Sequence, residues 1–172
     1  MIETTDIAGH FIADARTHLS SYLSQIGRCV GVLSDEEVWW RANDESNSIG
    51  NLLLHLSGNV RQWIVGGVGG LPNTRHRQQE FDERSTVPRA QLLARLKTTL
   101  SEADTVLATL DPRRLLERLQ IQGHDVTMLR AIFHVVEHFS MHTGQIILLT
   151  KTLTAKDVKL YTAPNRGATD EQ

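Results

Sequence analysis

Apolar residues recur every three or four positions through four long stretches of this chain. From about Thr4 to Leu33, the residues Ile7, Phe11, Ala15, Leu19, Tyr22, Leu23 and Ile26 form one stripe. That spacing predicts an amphipathic helix of many turns, with no proline to interrupt it. Ile49, Leu52, Leu53, Leu56, Val60, Trp63 and Ile64 predict a second helix, from about Ile49 to Val65. Leu92, Leu93, Leu96, Leu100, Ala103, Leu107 and Leu110 predict a third, with Pro88 in its first turn and Asp111-Pro112 at its end. Leu129, Ile132, Val136, Phe139, Ile146 and Ile147 predict a fourth, capped by Thr127 and reaching about Leu153.

The connections are readable too. Ser34-Asp35-Glu36-Glu37 is a cap followed by an acidic first turn, which predicts a short helix ending at Trp39 and Trp40. Gly66-Gly67-Val68-Gly69-Gly70-Leu71-Pro72 predicts a firm stop to the second helix, and the polar stretch to Ser85 a long loop or lid. Leu115 to Val126, with a Gly123-His124 turn, predicts a small hairpin or an extended crossover. After Thr154 the chain is polar, and a frayed tail is expected. Four long amphipathic helices with few strands argue for an all-α four-helix bundle. The expected organisation is one domain over 1–153 and a tail over 154–172.

Composition narrows the function classes. With 172 residues the chain can bury a sizeable core. Its 18 basic and 20 acidic side chains give a net charge of −2, so bulk electrostatics favour neither nucleic acid nor an anionic membrane as partner. No apolar stretch approaches the roughly 20 residues that span a bilayer. The first residues, Met1-Ile2-Glu3-Thr4-Thr5-Asp6, are acidic and polar, unlike a signal peptide. The single cysteine, Cys29, suits a reducing compartment, and a cytoplasmic protein is expected.

The eight histidines carry the candidate chemistry. His134, His138 and His142 stand four residues apart on the fourth helix. A four-residue step turns the helix by about 40° and climbs about 6 Å, so consecutive pairs share a face and can grip one ion. The outer pair, about 12 Å apart along the axis, cannot. Glu137 directly precedes His138, so the zinc-protease pattern His-Glu-x-x-His is absent. Relative to the centre of the apolar stripe, His142 lies about 70° away, His138 about 110° and His134 about 150°. That favours His138 with His142 as a metal-binding pair and sends His134 to the surface or behind the ligands. On the second helix, His55 is a flank position about 120° from its own stripe centre. A histidine among leucines is by itself more often a hydrogen-bonded wall residue than a ligand. If the two flanks meet, His55, His138 and His142 make a three-histidine site for Zn²⁺, Ni²⁺ or Fe²⁺ with coordination positions left open.

Two segments resemble the signatures of the DinB-like superfamily. They are Asn47-Ser48-Ile49-Gly50-Asn51-Leu52-Leu53-Leu54-His55-Leu56 and the run from His134 through His138, His142, Thr143, Gly144 and Gln145 to Ile146. The likeness extends loosely over residues 1 to about 153. It implies an up-down-down-up four-helix bundle with a divalent metal on His55, His138 and His142. Characterised relatives include metal-dependent thiol transferases using bacillithiol or mycothiol, and a mycothiol-dependent maleylpyruvate isomerase. The resemblance therefore implies a metal-dependent enzyme of thiol S-transferase or hydrolase-like type, acting on a small molecule such as a low-molecular-weight thiol. The alternative is a non-catalytic metal-binding or interaction bundle. A homodimer is compatible with both.

Other residues have plainer readings. No separate catalytic base stands out, and Glu137 points about 100° from His138, as a surface carboxylate would. Asn51, one turn before His55, is either solvated or placed behind a ligand. Gly66 to Gly70 lacks the Lys-Ser/Thr of a phosphate loop. Arg75, His76 and Arg77 form a basic cluster that is either solvated loop or a contact for an anionic substrate. Trp39, Trp40 and Trp63 read as core or interface residues, and Cys29 as an inert packing thiol.

Overall fold

In the computed structural model, residues 4–72, 74–84 and 87–160 are described. Four long helices run where the apolar stripes lie: α1 (Thr4–Gly31), α3 (Ile49–Val60), α5 (Arg89–Thr109) and α6 (Met128–Thr154). The short α2 (Asp35–Trp39) opens with Ser34, whose side chain accepts from the Glu37 amide while the Glu37 carboxylate accepts from the Ser34 amide. This reciprocal cap satisfies two donors that the helix itself leaves orphaned. Ser48 and Asn51 repeat the device at the start of α3. Asp35 also accepts from the Arg89 amide at 2.9 Å, so α2 caps α5 across the fold.

Side-chain pairs give the helix directions. Tyr22 stacks on Phe139, and Arg28 donates to the carbonyl of Lys159 just beyond α6, so α1 and α6 run parallel. Arg16 pairs with Asp104 while Arg89 reaches the carbonyl of Val30, so α1 and α5 are antiparallel. His55 meets His138 and Asn59 meets His134, so α3 and α6 are antiparallel. The result is the up-down-down-up arrangement. Phe139, Ile26, Leu53, Leu56, Leu96 and Ile132 lie fully inside it. Each such side chain contributes about 1.5–3 kcal/mol of apolar burial.

The structure departs from the sequence reading at three places. First, the Gly-rich run does not stop the second helix at residue 66. The α3 helix widens into a π-helix over Arg61–Val68, and the turn comes at Gly69 and Gly70, where Gly70 has φ +72°. Gly67 serves close packing instead, since a β-carbon there would lie 2.4 Å from Cδ1 of Ile121. Second, the expected loop to residue 85 contains the helix α4 (Arg77–Asp82). Third, part of the expected frayed tail is packed. Residues 155–160 follow α6 with Val158 buried and Lys159 bonded to Arg28. The remainder of that tail, 161–172, lies outside the described residues.

A 3-10 turn (Pro112–Leu116) leads into a hairpin of β1 (Arg118–Ile121) and β2 (His124–Thr127). The strands pair antiparallel, Leu119 opposite Val126 and Ile121 opposite His124, so the hairpin is formed and the crossover is not. Gln122 and Gly123 both have positive φ, the backbone that a tight two-residue hairpin turn requires. Among the described residues no helix is long and apolar enough to cross a membrane.

Candidate metal centre

Every residue of α3 is buried, so His55 has no route to solvent on its own helix. A helix enclosed on all sides must satisfy its polar side chains inside the protein. His55 does so at both ring nitrogens. Its Nδ1 lies 3.0 Å from Oε2 of Glu80, and its Nε2 lies 3.1 Å from Nε2 of His138. From α6, Nε2 of His142 lies 3.2 Å from the same His138 atom, and Nδ1 of His142 lies 2.6 Å from Oε1 of Gln145. One ligand atom from each of His55, His138 and His142 lies within 4.8 Å of the others. The structure therefore brings together the three residues that helical spacing singled out.

Proton bookkeeping tests whether a cation fits. Nη2 of Arg75 also lies 3.1 Å from Nδ1 of His55, but it donates to Oε2 of Glu80 at the shorter distance of 2.7 Å. An ionised carboxylate only accepts, so His55 donates from Nδ1 to Glu80 and presents a lone pair at Nε2. The carbonyl oxygen of Gln145 likewise draws the proton to Nδ1 of His142, leaving a second lone pair at Nε2. His138 stands between these lone pairs and has one proton to place. Its Nδ1 is buried with no hydrogen-bond partner among the described residues. With the proton on Nε2, one of the two facing lone pairs stays unshared. With the proton on Nδ1, three lone pairs converge and a buried donor is orphaned. A divalent cation resolves the convergence, and neutral imidazoles are a proper donor set for it.

The surroundings favour the neutral form of His138 and His142. Burial, followed by the neighbouring His142 and His55, pushes His138 down to about 3. Burial also lowers His142, against a smaller opposing effect of Gln145. Burial alone would push the Glu80 carboxyl up, but hydrogen bonds from Arg75 and His55, with the charge of Arg75, bring it below the usual carboxylate range.

Glu80 is the neighbour of the cluster that sequence reasoning missed, and Arg75 is its partner. Arg75 grips Glu80 with two parallel bonds of 2.7 Å, and its Nη1 donates to Gln62 at 2.9 Å. Its side chain is only 4% exposed, so the solvated-loop reading of Arg75 is corrected. Arg77 does stay near the surface, its guanidinium 4.9 Å above the Phe81 ring. Asn51 is fully buried: its Nδ2 donates to the carbonyls of Glu80 and Glu83, and its Oδ1 accepts from Arg41 and Ser48. Gly58 was the available signal, one turn after His55. A β-carbon there would fall 1.9 Å from Oε1 of Glu80.

The remaining candidates fall into place around this cluster. His134 is half-buried, its ring tilted 49° against Trp63 with centroids 4.3 Å apart and its Nε2 3.5 Å from Nδ2 of Asn59, behind the three-histidine cluster instead of at the surface. Burial lowers its pKa as well. Glu137 is exposed. Trp39 donates to the carbonyl of Val87, Trp63 is core and Trp40 is partly exposed. Cys29 is fully buried, and burial raises its thiol pKa, as a packing residue requires.

A family model described as a protein of unknown function, DUF1572, matches residues 6–167. No curated protein matches the chain. Among solved structures, a DinB-like protein from Bacillus cereus ATCC 10987 is similar with a TM-score of 0.64 at 13% identity, over 78% of this chain and 87% of that one. A conserved protein from Enterococcus faecalis is similar with a TM-score of 0.62 at 13% identity, over 91% of this chain and 100% of that one. At such identities the likeness is one of fold. The match over most of the sequence places the chain in the DUF1572 family, and its fold is similar to that of a DinB-like protein.

Proposed function

We propose that this protein holds one divalent cation through His55, His138 and His142, and that it is an enzyme of thiol S-transferase or hydrolase-like type. The observation that supports this is the convergence of three imidazole Nε2 atoms, two of them turned into lone-pair donors by Glu80 and Gln145. Zn²⁺, Ni²⁺ and Fe²⁺ suit such a donor set, and three protein ligands leave room for a small molecule. When bound, the cation supplies Lewis acidity that makes a thiol or a water more nucleophilic at neutral pH.

The chain's own residues set the geometry. Glu80 and Gln145 hold two of the imidazoles, and Phe81 packs against the His55 ring at 4.7 Å. The Arg75–Glu80 pair, which touches His55, also lines a cavity of about 610 Å³ together with Leu54, His76, Gln79 and Arg95; His55, His138 and His142 are not among its lining residues. Its size and mixed lining suit a small organic molecule.

The test is metal content of protein purified without an affinity tag, followed by a screen of thiol donors with electrophilic acceptors. About one equivalent of metal, with thiol consumption that His142→Ala abolishes, is the expected result. Absence of metal after reconstitution would sink the proposal. A second reading, a non-catalytic metal-binding bundle that docks a copy of itself, draws on the exposed Phe133, Met141 and Leu148 of α6. It expects metal without turnover and a dimer by sedimentation.

A further inference from the structure

His55 takes its Nδ1 partner from outside the four long helices. Glu80 sits on the six-residue α4, yet its side chain is only 8% exposed and its Oε2 lies 3.0 Å from the ring. Three features bring it there. Gly58 clears the space, since any β-carbon at that position would overlap the carboxylate. Asn51 ties down the backbone by donating to the carbonyls of Glu80 at 2.8 Å and Glu83 at 3.0 Å. Arg75 fixes the carboxylate plane and its charge through the bidentate bonds, and is itself anchored to Gln62.

This construction is poor value as a source of stability. Removing a guanidinium and a carboxylate from water costs about as much as their attraction returns, and apolar residues of equal volume usually do as well. The pair gives the fold one thing that apolar residues would not: a carboxylate acceptor 3.0 Å from Nδ1 of His55, while Nη2 of Arg75, 3.1 Å from the same nitrogen, is committed to that carboxylate at 2.7 Å. Without that acceptor, the proton of His55 would favour Nε2, where Nε2 of His138 stands 3.1 Å away and accepts when its own proton is on Nδ1. Protonated there, His55 is no ligand. Partners of this kind orient metal-binding histidines and hold them in the ligating tautomer.

We infer that Glu80 is a positioning residue for His55, and that the segment 74–83 is the clamp that delivers it, held by Arg75, Asn51 and the gap at Gly58. The inference deepens the metal-binding reading and rests on it. Docking of the segment and a ligating His55 are thereby one event.

The experiment compares wild type, His55→Ala and the Arg75→Met/Glu80→Met double variant. The double variant removes both buried charges together and so keeps the fold. Three quantities are read: the melting temperature, zinc affinity against a chelator, and the tautomer of His55 from side-chain ¹⁵N spectra of metal-free protein. The wild type is expected to carry its His55 proton on Nδ1. The double variant should melt near the wild-type temperature, shift that proton toward Nε2 and bind zinc about 10–100-fold more weakly. A merely structural pair would move the melting temperature and leave tautomer and affinity alone. Unchanged affinity in the double variant, with binding abolished in His55→Ala, overturns the positioning role and leaves the metal site standing. A wild-type His55 protonated on Nε2 overturns it as well. A wild type that takes up no zinc while its His55 carries the proton on Nδ1 overturns the metal reading instead.

Discussion

Gly58 and Glu80 approach so closely that a β-carbon on Gly58 would lie 1.9 Å from Oε1 of the carboxylate. The glycine is fully enclosed in α3, one turn beyond His55, and nothing in its helical backbone calls for glycine. Its absent side chain is the space in which the Arg75–Glu80 pair lies. Gly58→Ala should therefore expel Glu80 from its position. Helix propensity would gain about 1 kcal/mol, while separating a buried ion pair costs about 3–5 kcal/mol. The expected net loss is about 2–4 kcal/mol, measured by urea denaturation, together with weaker zinc binding. A variant as stable as wild type would show that the pair is not held by that gap.

Cation binding should stabilise the native chain, because the three Nε2 atoms converge only in the folded state. At a free zinc concentration one hundred times the dissociation constant, the gain is about 2.7 kcal/mol. For a domain of this size that raises the melting temperature by roughly 5–10 °C. Calorimetry with and without a chelator reads the effect, and His138→Ala should abolish it.

Metal-free protein should lose stability as the pH falls. His138 is held down to about 3, chiefly by burial, whereas the unfolded chain takes up its proton near the ordinary histidine value of 6.5. Below 6.5 the unfolded state thus binds more protons, and stability declines progressively from there toward pH 3. His142 and His134 are shifted the same way by burial and add to the slope. Melting temperatures of chelator-treated protein between pH 7.5 and 4 should fall less steeply for His138→Gln than for wild type. Equal slopes would mean that His138 is not the group responsible.

His134 should prove dispensable for ligation. Its ring lies against Trp63 and Asn59, and its centroid is 5.5 Å from that of His138. His134→Ala is expected to retain one equivalent of zinc, with a stability loss of about 1–3 kcal/mol from the emptied space and the unpaired Asn59. Its tryptophan fluorescence should change because Trp63 loses its neighbour. Loss of zinc in this variant would require a different ligand set.

The four long helices, the cap at Ser34 and the histidine register were legible in the chain, because each depends on residues within one or two turns. Ser34 with Glu37, Ser48 with Asn51, and His138 with His142 are local relationships, fixed by the helical repeat whatever packs outside them. Angular position on a helix also showed that His55 and His138 flank their apolar stripes. The same wheel sent His134 toward solvent, because it knows one helix at a time. Trp63 covers that face from the wider π-helical turn, whose register no stripe of leucines announces.

Contacts between remote segments were decided only in three dimensions. His55 and Glu80 are 25 residues apart, and His55 and His138 are 83 apart. Arg75 reads as one cation in a polar run, since its burial depends on a cleft made by Gly58, Gln62 and Glu80 together. Sequence periodicity records which side of a helix avoids water. Which charge is buried, which nitrogen keeps its proton and which glycine is an empty space depend on what the folded chain places opposite each one.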